Sequence, residues 1–224
     1  GGTHYMRRWS DTFNTGLDFR LLETHYVNID ITQSSQNKWL KTYQLTPIFQ
    51  YEPAPSFRIR HEAGLQADYI DFDFDRGAVP RSTITRRVSS ETWVKTALFT
   101  GAELNAGFMF EQNDYGKLSV RGGRIPVEDG IRRFADLSVR YEFGPGILLV
   151  PQYIYAIRKD RSIEQGTLER REIDQTFGMD LRMFRNTRGD GHDFVIGVKR
   201  IVRRTLRESP QVRNYITMTF TYGF

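Results

Sequence analysis

The side chains able to do chemistry here are four histidines, 27 carboxylates and 32 basic residues. The histidines are His4, His25, His61 and His192. Nucleophilic catalysis needs a base within hydrogen-bond reach of a Ser, Cys or Thr, and no His-x-Ser-Asn arrangement occurs. Gly189-Asp-Gly-His192-Asp193 flanks a His with two acids, as a metal site or an acid–base pair would. Its glycines, between two strand patterns, mark a turn instead. The chain has no Cys, which removes thiol catalysis, disulfides and thiolate metal sites. No Gly-rich loop opens a helix, and no ligand set has zinc or EF-hand spacing. No enzyme activity, catalytic residue, metal or cofactor is expected.

What remains is charge. The formal net charge is +5, which ordinarily suggests an anionic partner. The charges are not in blocks. They alternate with apolar residues, as in Arg58-x-Arg60-x-Glu62, Asp136-x-Ser-x-Arg140 and Asp180-x-Arg182. Interleaved Arg and aromatics occur in nucleic-acid-binding sheets, but the strands here are too long and too many for such a module, so no nucleic-acid partner is expected.

That alternation has period two, the mark of strands between an apolar and a wet environment. Leu17, Phe19 and Leu21 alternate with Asp18 and Arg20. Trp39, Tyr43, Leu45, Phe49 and Tyr51 alternate with Thr42, Gln44, Thr46 and Gln50. Leu137, Val139, Tyr141 and Phe143 alternate with Ser138, Arg140 and Glu142. Glu23 with His25 suggest a bulge or a hairpin, and the phase change at Ile70, Phe72 and Phe74 a bulge. Strand, turn, strand recurs throughout without helical periodicity: about twelve strands, with ten to fourteen allowed. Such a chain is an all-β sandwich or a closed barrel. No stretch approaches the roughly 18 apolar residues of a membrane helix, but a barrel strand crosses with about nine to eleven residues, half of them polar.

The final strand decides between them. Val212, Ile216, Met218, Phe220, Tyr222 and Phe224 share one face, and Arg213, Thr217, Thr219 and Thr221 the other. This terminus resembles the closing strand of Gram-negative outer-membrane β-barrels, which end in Phe with apolar or aromatic residues at alternate positions before it. The resemblance covers the whole chain in pattern and the last strand in motif, and singles out no particular barrel family. It implies a transmembrane antiparallel up-and-down β-barrel in the outer membrane. Residues 1–224 would form one barrel domain or the C-terminal barrel part of a longer chain, since Gly1-Gly2-Thr3-His4 has neither part of a secretory signal.

The same resemblance makes Phe220, Tyr222 and Phe224 an assembly signal for the barrel assembly machinery and puts the C-terminus on the periplasmic side. Counting strands backwards, turns near 32–38, 75–82, 112–116, 144–146 and 185–192 become periplasmic. Those near 53–56, 126–130, 160–167 and 206–211 become extracellular. Tyr222, Phe224, Tyr141, Phe143, Phe194, Phe72 and Phe74 would then form one aromatic girdle, and Phe49, Tyr51 and Phe57 the other. Arg58, Arg60, Glu62, Asp136, Arg140, Asp180, Arg182 and Lys199 are expected to line the lumen. Arg203, Arg204, Arg207 and Arg213 crowd the outer end, where they would meet lipopolysaccharide phosphates, form a solvated rim, or steer anionic solutes. The implied function is a passive channel or transporter with a charged lumen. The alternative is a non-conducting barrel that anchors partner proteins.

Overall fold

The computed structural model describes residues 1–29, 35–74, 81–118, 123–163, 165–187, 190–206 and 208–222, the side chains of 185–192 and 222 excepted. They form one sheet of eleven antiparallel strands in which every strand pairs with its neighbours in sequence. The strands are β1 (Gly2–Arg8), β2 (Phe13–Tyr26), β3 (Lys38–Ala54), β4 (Phe57–Phe72), β5 (Thr83–Phe99), β6 (Ala102–Leu118), β7 (Arg124–Gly144), β8 (Ile147–Ser162), β9 (Leu168–Thr187), β10 (Asp190–Thr205) and β11 (Gln211–Tyr222). β1 and β11 are each bonded on one side only among the described residues.

The connections sort by end. Those after β3, β5, β7 and β9 are two residues long, and 9–12 lies at the same end. At the β7–β8 turn Gly146 adopts φ +86°, a left-handed conformation open to glycine without a steric penalty. The opposite end carries 27–37, 73–82, 119–123, 163–167 and 206–210, each of five residues or more.

Register places the alternation on two faces. Phe19 lies opposite Leu45, Leu45 opposite Leu65, and Leu65 opposite Val88. Leu137, Tyr153 and Phe177 line up likewise, as do Met179, Val198 and Ile216. These side chains are unburied: Leu65 is 50% exposed and Ile216 72%. Among the described residues only Ile48, Ile84, Ala102 and Leu148 are buried hydrophobics. A domain in water could not fold on so small a core while presenting so much apolar area. The apolar face is therefore solvated by lipid. Arg200 and Asn214, paired across β10 and β11, interrupt it. Pro47 and Pro151 sit on this face with a gap in one of their two ladders, as a residue without an N–H requires.

Eleven strands fall within the range expected, but the middle of the chain is wired differently. The expected turn at 112–116 runs inside β6, and the one at 126–130 inside β7. Lys117 ends β6 with Leu118, while Arg124 and Ile125 open β7, so the strand expected between 117 and 125 is two hairpin arms. Polar runs stay extended there because ion pairs hold them. Arg86 donates to Asp114 at 2.6 and 3.0 Å, and Arg161 to Asp129 at 2.5 and 3.1 Å.

With one crossing fewer, every end assigned before β6 inverts. The connections at 27–37 and 73–82 lie with 163–167 and 206–210 at the long-loop end, and 55–56 lies with 145–146. Phe49, Tyr51 and Phe57 therefore join Phe99, Tyr141 and Phe143 at the short-turn end, where Tyr141 and Phe143 meet edge-to-face at 4.5 Å. Phe72 belongs to the other end, under the Arg81 guanidinium at 4.2 Å. No bulge accompanies Glu23, His25, Ile70 or Phe72, whose pairings are unshifted. Glu23 and His25 are polar because they lie beyond the apolar band. Glu23 accepts from the Tyr43 hydroxyl at 3.0 Å, while His25 stacks on Trp39 at 4.1 Å and bonds Asp73 at 2.8 Å.

Candidate functional site: the charged wall

The second face carries the charges. Because side chains alternate, a residue one step from each apolar position points to this face. Arg58, Arg60, Glu62, Asp136, Arg140, Asp180, Arg182 and Lys199 all fall on it by register. They do not converge on one point but are spread along the wall, mostly in pairs. Arg58 grips Glu52 with a fork at 2.8 and 2.9 Å, and Arg60 bonds Glu62 at 2.6 Å. Gln152 donates to Asp136 at 3.2 Å, and Arg182 stands 3.8 Å from Asp180. Arg140 stands directly opposite Glu103 and shares its charge with Lys95, while Lys199 has no ion-pair partner among the described residues.

More pairs share the face. Lys95 meets Glu103 at 2.7 Å, Arg170 meets Glu172 at 2.8 Å, and Arg203 grips Asp174 with two bonds of 2.9 Å. Acids and bases come close to balancing here, so the excess positive charge of the chain lies elsewhere. A carboxylate bonded to a guanidinium keeps its charge at low cost, and the result is a hydrophilic wall without a dominant sign.

One group departs from simple pairing. Glu111 of β6 lies between Arg87 of β5 and Arg132 of β7, 3.5 and 3.4 Å away. Those contacts are ion pairs at the limit of hydrogen bonding. Glu111 is only 9% exposed. Its Oε1, the Nε atoms of both arginines and the Asn113 Oδ1 are buried without a hydrogen bond. Beside them Gly130 leaves room for Asn113 and Asp160 to lean together, since a Cβ there would meet both. Arg158 bonds Asp160 at 2.7 Å. Two guanidiniums around one carboxylate, with donors unspent, make this the place on the wall best suited to an anionic group. Expected turns at 112–116 and 126–130 hid it. Its signal was Asn105, Gly107, Met109, Glu111 and Asn113, alternating without a break.

The four outer arginines divide. Arg203 and Arg213 fall on the polar face and Arg204 on the apolar one, while Arg207 lies outside the described residues. Phe220 ends the apolar face opposite Phe194 and is 64% exposed. The Tyr222 side chain and Phe224 lie outside the described residues. The histidines are scattered. His4 bonds Asp18 on the polar face. His61 faces the apolar side and bonds the Thr92 hydroxyl at 2.9 Å. Neither they nor His25 form part of a metal-ligating group among the described residues, and the His192 side chain lies outside them.

No family model and no curated protein matches the chain. Solved structures do. The ferric preacinetobactin receptor BauA from Acinetobacter baumannii superposes with TM-score 0.65 at 10% identity, over 99% of this chain and 42% of that one. The siderophore receptor PiuA from the same organism gives 0.62 at 7%, over 99% and 44%. The copper transporter OprC gives 0.62 at 10%, over 94% and 37%. The chain thus spans less than half the length of these structures.

Proposed function

Because the chain has the fold of the Gram-negative outer-membrane β-barrels, we propose that its eleven strands are a stretch of the wall of an outer-membrane transporter, with polar solutes passing along the charged face. The observation carrying this is the pairing of a largely apolar face, interrupted in its band at Arg200 and Asn214, with an ion-paired polar one. Lipid takes the first, and water or a polar plug the second. The short-turn end is then periplasmic and the long-loop end extracellular, as loop lengths divide in such barrels. The similar structures include receptors and transporters of metal species, which supports solute passage over a silent scaffold. Arg87 and Arg132 are the contacts proposed for an anionic solute.

Strand parity says how the wall closes. In an up-and-down sheet an odd count leaves β1 and β11 running the same way. Joining them directly would make a parallel seam, and so would a second copy in the same membrane orientation. Antiparallel closure takes an odd number of further strands, in keeping with the wide barrels that enclose a plugged lumen. In the membrane-inserted protein, cysteines replacing Tyr5 and Ile216 should not be joined by a short bismaleimide, within a copy or between copies. Cross-linking would overturn the open-arc reading. Uptake of small anions should fall several-fold in Arg87→Gln/Arg132→Gln. Unchanged uptake, with no current in planar bilayers, would favour the scaffold.

A further inference from the structure

We propose that the outer rim over β7–β10 is a binding surface for phosphorylated glycolipid headgroups, formed by Arg133, Lys159, Arg171 and Arg204. The surface does not depend on what the lumen carries; it rests on the apolar face lying in the membrane and on the proposed reading that the long-loop end is extracellular. Arg133 lies opposite Ile157, Ile157 opposite Ile173, and Ile173 opposite Arg204. One rung further from the band, Ile131 faces Lys159 and Lys159 faces Arg171. The rung just below is Ala135, Tyr155, Gln175 and Val202. The four cations thus occupy the first two rungs above the lipid-facing band, at the long-loop end. From β7 to β10 they span about 14 Å at the usual strand spacing.

All four are exposed. None has a carboxylate partner among the described residues, and Arg133 has only the Phe110 ring, 5.9 Å away. The nearby outward acids are few. Asp129 is held by Arg161, and Glu169 lies at the irregularity between β8 and β9. Lys159 and Arg171 are directly paired across the strands, where like charges repel.

The contrast one residue away is informative. Arg132 and Arg158 are also directly opposed, but on the polar face, where Glu111 and Asp160 neutralise them. The same sheet therefore neutralises its inward like-charge pair internally and leaves the outward pair to be neutralised from outside. At that depth the available anions are headgroup phosphates, which Arg binds with a fork and Lys as a point charge. Two phosphates on one sugar headgroup suit cations spread over several strands.

The experiment purifies the protein in detergent, exchanges it into micelles containing bis-phosphorylated lipid A, and measures the lipid retained after gel filtration. Phosphatidylglycerol and inorganic phosphate are the comparison ligands. The variant with Arg133→Gln, Lys159→Gln, Arg171→Gln and Arg204→Gln should retain at least ten-fold less lipid A. Arg133→Lys/Arg171→Lys/Arg204→Lys should keep at least half, and the polar-face variant Arg203→Gln/Arg213→Gln should match the parent. Should the four-fold variant not fold, Lys159→Gln and Arg171→Gln singly should each lose about three-fold. The proposal is overturned if the Gln variants retain lipid A like the parent, if the polar-face pair loses as much, if phosphatidylglycerol is held equally well, or if millimolar phosphate displaces the lipid.

Discussion

Leu65 and Gln66 are neighbours in β4 and face opposite ways, and they summarise two treatments of exposure. Leu65 is 50% exposed with apolar neighbours on both flanking strands, Leu45 and Val88. Gln66 spends its amide on Asp68 at 2.8 Å. Across the sheet the apolar face leaves large side chains open, and the polar face ties most of its charges to a partner. A soluble sheet would bury the first set and leave the second to water. Here neither face is a core. Each meets a different solvent, and the stability of the sheet depends on keeping the two apart.

A charge placed on the wrong face should break that separation most severely. Leu65 lies near the middle of β4, so Leu65→Arg puts a guanidinium close to the bilayer midplane, at a cost of about 2–4 kcal/mol. Gln66→Arg, one residue on, should cost under about 1 kcal/mol. Urea unfolding in lipid vesicles, followed by Trp fluorescence, measures both. Equal losses would mean that the apolar face is not the lipid face.

The second prediction tests the polar face at its least satisfied point. Glu111→Ala leaves Arg87 and Arg132 facing each other without the carboxylate between them. The expected loss is about 1–3 kcal/mol, the cost of unpaired, partly buried polar groups. Glu111→Gln should lose less, since the amide oxygen still accepts. If both variants unfold at the parental urea concentration, the polar face is wet enough to screen the arginines fully.

Gly107 supplies a subtler version. It lies opposite Trp93 on the polar face, and a Cβ there would collide with the Trp93 ring. The ring spans the glycine while its indole N–H donates to Glu91 at 2.9 Å. Gly107→Val should displace the ring, break that bond and cost about 1–2 kcal/mol. The accompanying sign is a red shift of the Trp emission, which Gly178→Val, with nothing closer than 3.9 Å, should not produce.

Much of this was legible in the residues. Alternation reported the two faces because each strand crosses between two fixed solvents, and all eight lumen candidates share one face for that reason. Strand ends were not legible. The strands outrun the apolar band, and beyond it Asp114 with Arg86 and Arg124, or Asp129 with Arg161, extend the ladder with residues that otherwise signal turns. A turn placed there adds one crossing, which inverts the ends of every earlier strand and hides the Glu111 group. Orientation alone places the outer arginines at one end, but Arg203 and Arg204 face opposite ways and only register shows which cations share a rung.

The smallest expected effect concerns a residue that fits its face poorly. His61 lies on the apolar side between Phe49 and Thr92, bonded to the Thr92 hydroxyl. An imidazole among lipid-facing residues forgoes apolar area and must satisfy its second nitrogen. His61→Leu should therefore stabilise the inserted sheet, by about 0.5–1 kcal/mol after the hydrogen bond is lost. His61→Leu/Thr92→Val should gain more, because it also removes the hydroxyl left without a partner. The sign is what matters. A loss on His61→Leu in lipid would mean that this patch meets protein or water instead of acyl chains, and the lipid-facing band would then stop short of β4 and β5.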